Sequence, residues 1–370
     1  MHFSDIIKKY ESIDFKKTLS SISLKQVESV LAKDVLDGDD FLTLLSPAAV
    51  NCLEPMAERA YKITLQNFGK AIQLYTPLYV SDFCDNHCLY CGYNANVNIP
   101  RKKLELFEVG LAAKHISGTG LKHVLLLTGG SEKMSPVSYI KDCISVLKKY
   151  FSSISIEIYP LSEDGYKELI AAGLDGLTIY QETYDRSIYS SVHPKGPKRD
   201  YFFRLDTPDR ALRQNIRAVS IGALLGLNDF RIDGFFTGLH AEYLQNNFTC
   251  AEISVSVPRI RQAAAGYRPP FNVTDRDMVQ LVLAVRIFLP RVGITLSTRE
   301  SSTFRDNMLR LGVTKLSAQS VTSVGGWLAD EAIDGKFEQF SISDKRTVID
   351  MRKLLKDRGY QPVFKDWMNI

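Results

Sequence analysis

No hydrophobic run long enough to cross a bilayer occurs in these 370 residues. The longest apolar stretch, Val279–Pro290, carries Arg286 and falls well short of the roughly 20 residues a membrane helix needs. A surplus of one charge is missing as well. The 46 Lys+Arg nearly cancel the 42 Asp+Glu, and a formal charge of +4 is too weak to draw a nucleic-acid backbone. The start, Met1-His2-Phe3-Ser4-Asp5 followed by Lys8-Lys9, has no apolar core of a secretory signal. Cysteine is scarce, with six in all, and these do not form the spaced pairs of a secreted disulfide framework. A hydrophobic fraction of 45% and a charged fraction of 24% exclude a disordered tail, a collagen and a coiled-coil rod. The expectation is a soluble, cytoplasmic protein of enzyme size, with no nucleic acid and no membrane among its partners.

What is present is an alternation. After a polar N-terminal stretch, short β-branched or apolar runs predict strands at 72–80, 122–127, 154–160, 175–180, 219–225, 251–257, 293–298 and 314–319. Longer amphipathic windows lie between them. Ser135-Pro136 and Thr207-Pro208 read as helix caps followed by proline at the first helical position. Thr274 with Asp277 reads as a capping box, and Gly173 and Gly312 suit helix ends. Eight strands alternating with helices are what a (β/α)8 TIM-type barrel requires; the alternative is an open doubly wound sheet. The expected division is an N-terminal helical extension over 1–70, the barrel over 71–330, and a C-terminal tail over 331–370 with a helix near 343–357. Functional groups then belong at the C-terminal ends of the strands.

Three of the six cysteines, Cys84, Cys88 and Cys91, fall in one C-x3-C-x2-C run directly after the first strand. A structural zinc site wants four ligands, usually in two separated pairs, and no second pair exists. Three thiolates suit a [4Fe-4S] cluster with one iron left open. This spacing, with Tyr90 before the third cysteine, is the signature of radical S-adenosylmethionine (SAM) enzymes. Pro77–Ser81, Cys91-Gly92-Tyr93, Tyr180–Tyr184, Leu205–Arg210, Leu296–Ser301 and Gln361–Trp367 carry the resemblance further, to the 2-iminoacetate synthase family, the tyrosine lyases of thiamine thiazole biosynthesis. It spans essentially the whole chain, from Leu44 to the tail.

The resemblance implies a radical SAM barrel that cleaves the Cα–Cβ bond of L-tyrosine to 2-iminoacetate and p-cresol, with SAM ending as 5′-deoxyadenosine and methionine. It implies cysteine ligands to a [4Fe-4S] cluster, a polar clamp on SAM made by Glu182 and Arg204, and Tyr90 lying against the adenine. The family's Gly-Gly-Glu turn is altered here to Thr128-Gly129-Gly130-Ser131-Glu132, with the acid one residue late. Gly129 and Gly130 still allow close backbone approach. An external electron donor, flavodoxin or ferredoxin, and hand-off of the imine to thiazole synthase are implied as well.

The predicted seventh strand speaks to the substrate. Side chains alternate along a strand, so Thr295, Ser297 and Arg299 share a face, where a barrel interior is normally Val, Ile or Leu. Three polar groups there are costly unless they bind something, and a guanidinium matches an amino acid's carboxylate. The other reading turns this face toward a helix. Pro258-Arg259-Ile260-Arg261 places two cations near the mouth, as a carboxylate site or a solvated loop. His193, with Lys195, Lys198 and Arg199, lies in a long connection that is either a lid or an ordinary charged loop. His240, inside a helical window, reads as a packed or surface residue. Rival functions are a hydrogenase-maturation tyrosine lyase, which would add a C-terminal cysteine motif not found after Cys250, a tryptophan lyase or deazaflavin-type synthase, and a non-enzymatic iron–sulfur carrier.

Overall fold

The computed structural model describes residues 2–260, 266–328 and 338–365; Arg261, the start of the tail at 331–337, and Asp366 and Trp367 lie outside the described residues. Eight parallel strands close on themselves: β1 (Ala71–Ser81), β2 (His123–Thr128), β3 (Ser153–Glu157), β4 (Gly176–Glu182), β5 (Ala218–Ala223), β6 (Glu252–Ser256), β7 (Gly293–Leu296) and β8 (Lys315–Ser317). Each pairs with its neighbour, and β1 pairs with both β2 and β8. The barrel reading therefore holds over the open sheet. Both faces of these strands are covered by side chains, which is why runs such as Val124–Leu127 read as continuous apolar stretches rather than alternating ones.

A ninth strand, β9 (Gln361–Val363), pairs with the first residues of β1, Ala71–Gln73. Lys122 N–H donates to the Phe364 carbonyl at 2.9 Å, so β9 fills the space beneath β2 that the shorter β2 leaves open. Three residues containing Pro362 carry no strand pattern, and the sequence reading missed it. Other differences are local. The tail helix runs Val348–Asp357 rather than from 343, because Thr347 and Asp350 form its capping box and Asp344 is committed to Arg305 and Arg346. The helix after β2 starts at Val137, with Pro136 itself at the cap position. Thr207 lies inside its helix, one residue past the cap Asp206, and its hydroxyl donates to the Phe203 carbonyl.

Residues before β1 form short helices laid over the barrel's helical wall. Phe3 stacks on His240 at 4.0 Å and Phe41 on Phe288 at 4.5 Å. Gly238 makes room for Phe41; a Cβ there would stand 2.3 Å from its ring. Burying such rings is worth about 2 kcal/mol or more each. No helix among the described residues is long and apolar enough to cross a membrane.

Candidate active site

The C-terminal ends of the strands open into a cavity of about 410 Å³, within the size of small-molecule sites. Cys84, Cys88 and Cys91, Gly129, Gly130 and Glu132, Glu182 and Arg204, and Arg299 all line it.

The cysteine loop is laced to two neighbours. Asp85 N–H donates to the Gly130 carbonyl, His87 N–H to that of Lys195 and Leu89 N–H to that of Val192. Buried Asn86 donates to Gly130 and faces the Cys84 sulfur at 3.7 Å, while accepting from the Lys198 N–H at 2.7 Å. The glycines after β2 are required by this contact. A Cβ on Gly129 would sit 2.2 Å from the Phe83 carbonyl oxygen, and one on Gly130 would sit 2.3 Å from Asn86. Among the described residues, no three His, Cys, Asp or Glu side chains converge on a point suited to a single metal ion. The three thiols instead line the cavity together. Burial, then the neighbouring Cys88 and Cys84, pushes the Cys91 thiol up to about 12. Three thiolates so placed need a compact cationic group among them, which is what a [4Fe-4S] cluster offers.

Glu182 ends β4 in an unusual way. Its φ is 72°, a left-handed conformation rare outside glycine, at a bulge where the β4–β5 register shifts after Tyr180. Such strain costs about 1–3 kcal/mol, and here the bulge re-aims an acid into the cavity. Lys198 donates to Glu182 at 2.5 Å and Arg204 at 3.3 Å, while Arg204 Nε–H also donates to the Tyr180 carbonyl at 2.6 Å. Burial alone would raise the Glu182 carboxyl, but Lys198 and Arg204 outweigh it and hold it below its ordinary value.

His193 caps the helix Arg186–Val192, where the connection carrying Lys195, Lys198 and Arg199 begins. It is buried, its Nε2 is 2.8 Å from the Tyr90 hydroxyl, and its Nδ1 is 2.8 Å from the Tyr189 carbonyl. Burial, then nearby Lys198, depresses it to about 3, so it stays neutral and fixes Tyr90. His240 is packed, as its helical context suggested: buried and paired with the Tyr184 hydroxyl at 3.0 Å.

The predicted polar face divides in three dimensions. β7 ends at Leu296, so Ser297 and Arg299 lie on the turn beyond it, where they line a cavity of about 50 Å³ adjoining the large one. Thr295 points into the barrel one layer lower, in a separate space of about 30 Å³ with Tyr75, His123 and Lys315. The shared-face reading thus brings Ser297 and Arg299 together and leaves Thr295 apart, because the strand stops before the third residue. Arg299 lies 3.4 Å over the Phe340 ring. Arg259 is no carboxylate site: it is buried, and its guanidinium donates to Glu300, Asp275 and the Val273 carbonyl, bracing the turn that presents Arg299.

Sequence reasoning missed several lining residues. Lys198 was read only as loop charge. Glu157, at the end of β3, lines both cavities, and the expectation that functional groups sit at the C-terminal strand ends was the signal that could have found it. Gln339 and Phe340 come from the tail. The Tyr79 hydroxyl donates to Gln339 at 2.7 Å, and Gln339 Nε2 faces the Cys91 sulfur at 3.9 Å. Nothing local in the sequence marks them.

Comparison with known proteins places residues 78–236 in the Radical SAM superfamily and residues 256–361 in the Biotin and Thiamin Synthesis associated domain. The chain is 37% identical to 2-iminoacetate synthase from Salmonella typhimurium and 38% identical to that from Escherichia coli, in each case over 99% of this chain and 96% of the relative. The crystal structure of a maturase of the [FeFe]-hydrogenase superposes with a TM-score of 0.86 at 30% identity, over 98% of this chain and 79% of that one.

Proposed function

The chain belongs to the 2-iminoacetate synthase family of radical SAM enzymes, and from that premise we propose that it cleaves the Cα–Cβ bond of L-tyrosine to 2-iminoacetate and p-cresol. The observation that carries the reading is one cavity lined by three thiols, by the Arg299 guanidinium and by an acid flanked by two cations. Cys84, Cys88 and Cys91 would hold the [4Fe-4S] cluster, beside the cavity space that would take SAM. Reduced and with SAM bound, that cofactor pair supplies a 5′-deoxyadenosyl radical.

The protein's own groups do the positioning. Arg204 offers parallel N–H donors to a carboxylate, and Glu182, held by Lys198, faces the cationic side of SAM. Tyr90, pinned by His193, and the backbone of Gly129 and Gly130 border the nucleoside side. Where the two cavities join, Arg299, with Ser297 beside it, takes the tyrosine carboxylate, and Phe340 stacks on its guanidinium. Thr295 stands a layer below and supports the strand rather than the substrate.

An imine that hydrolyses in water favours a direct hand-off to thiazole synthase. The electron comes from flavodoxin or ferredoxin, in a reducing cytoplasm that suits a chain without a disulfide framework. Anaerobic reconstitution with iron and sulfide, then SAM, dithionite and tyrosine, should release p-cresol and 5′-deoxyadenosine. 5′-Deoxyadenosine without p-cresol, alongside turnover of tryptophan, would reassign the substrate.

A further inference from the structure

An amino acid carries two opposite charges, and Arg299 answers one of them. Glu157, the last residue of β3, lines both the large cavity and the smaller one that continues it. Tyr180, Pro258, Arg299 and Phe340 share that junction. Among the described residues, no hydrogen bond or ion pair is formed by the Glu157 carboxylate or by the Arg299 guanidinium, and the two do not reach each other. An anion and a cation lining one junction, with no hydrogen bond or ion pair to either among the described residues and only the Phe340 ring against Arg299, make a site that a zwitterion fits. Glu182 differs, being already paired with Lys198 and Arg204.

The setting suits a proton acceptor. Burial, then the Glu182 charge, lifts the Glu157 carboxyl to about 7, against the pull of Arg299, Arg204 and Lys198. The other titratable groups facing it are the phenols of Tyr75, Tyr79 and Tyr180, all pushed up by burial first and by the Glu157 charge among the lesser causes. They stay neutral and do not compete for the proton. A carboxylate beside an ammonium pairs with it and, once its own pKa is raised, can take one of its protons.

We propose that Glu157 receives the amino group of the amino-acid substrate, pairing with the ammonium and taking one of its protons while Arg299 holds the carboxylate. One N–H bond breaks with its electron pair kept on nitrogen, and one O–H bond forms on Glu157; no oxidant or reductant enters. The assignment rests on the tyrosine-lyase reading above and deepens it.

The test uses the reconstituted holoenzyme with SAM and no reductant, so that binding is read without turnover. Affinities are measured for L-tyrosine, for 3-(4-hydroxyphenyl)propanoate, which lacks the amino group, and for L-phenylalanine, which lacks the hydroxyl. Wild type should prefer tyrosine to the deaminated acid by about ten- to a hundredfold, the span of one charge-assisted hydrogen bond. In Glu157→Gln that preference should shrink to a few-fold, while the preference over phenylalanine is kept. Under reducing conditions, kcat/KM for tyrosine in wild type should fall on the acid side of an apparent pKa near 7, and the Gln variant should lose that limb. Glu157→Asp should recover part of both properties, and iron content with thermal melting checks that each variant is folded and loaded. An unchanged amino-group preference in Glu157→Gln, or loss of the preference over phenylalanine instead, overturns the proposal. A wild type that makes no p-cresol overturns the lyase reading itself, which the binding ratios leave separate.

Discussion

At the scale of single residues, the two arginines of the cavity do different work and should fail differently. Arg299→Ala unfixes the tyrosine relative to SAM, and a misplacement near 1 Å can cost about a hundredfold in rate. Its guanidinium touches neither the cysteine loop nor Glu182, so cluster assembly and SAM cleavage should continue. The expected signature is 5′-deoxyadenosine formed without matching p-cresol, quantified by chromatography. Arg299→Lys should rescue little, since an ammonium reproduces neither the bidentate fork nor the flat stacking on Phe340. Arg204→Ala should weaken SAM binding by about ten- to a hundredfold, or roughly 1.5–3 kcal/mol, and leave tyrosine affinity nearly unchanged. Because Lys198 stays on Glu182, no uncompensated acid is left behind and the melting temperature should move little. Equal loss of both affinities would make Arg204 a structural brace.

At the scale of elements, the site depends on how the turn after β2 meets the cysteine loop. Gly129 N–H donates to the Ser81 carbonyl at 2.7 Å, and its Cα faces the Phe83 carbonyl with no room for a methyl. Backbone cannot swing aside as a side chain can, so Gly129→Ala must push the two segments apart. The expected cost is about 1–3 kcal/mol, read by chemical denaturation, together with iron and sulfide content clearly below wild type after reconstitution. Gly118→Ala, at a helix end with nothing within 4 Å, is the matched control and should keep full iron content. Normal cluster loading in Gly129→Ala would mean the cradle tolerates displacement. The cysteine spacing, the order of the strands and the capping box at Thr274 were all legible, because each is set within a few neighbouring residues. The bulge that turns Glu182 inward was not, since it arises from β4 and β5 coming into register.

At the scale of the whole molecule, the N-terminal helices and the barrel wall share a buried histidine that ties stability to pH. His240 lies between Phe3 and Tyr184, and burial depresses it to about 3, against about 6.5 in an unfolded chain. Between these values the unfolded state binds a proton that the folded state refuses. The contribution is therefore fully present above about pH 6.5 and is lost as pH falls toward 3. At pH 5 this one residue should cost about 2 kcal/mol relative to pH 7.5. His240→Gln will be less stable than wild type at pH 7.5, because packing is lost, but the gap should narrow by about that amount at pH 5. Parallel urea-unfolding series at the two pH values measure it; a constant gap would mean that the histidine titrates equally in both states.

Eight strands in order, their burial on both faces, and three thiols on one loop followed from the sequence by itself, because periodicity and spacing are local and a parallel barrel is built by repeating them. The same locality explains what stayed hidden. Thr295 and Arg299 are four residues apart, yet they face different cavities because β7 ends between them. Gln339 and Phe340 reach the site from a tail far along the chain, while Arg259, which looked available, is consumed by Glu300. Glu157 and Arg299 come to line one junction only when β3 and β7 close into a ring. Which charges meet, and which are kept apart for a ligand, is decided by barrel closure, since attraction between side chains acts through space and takes no account of distance along the chain.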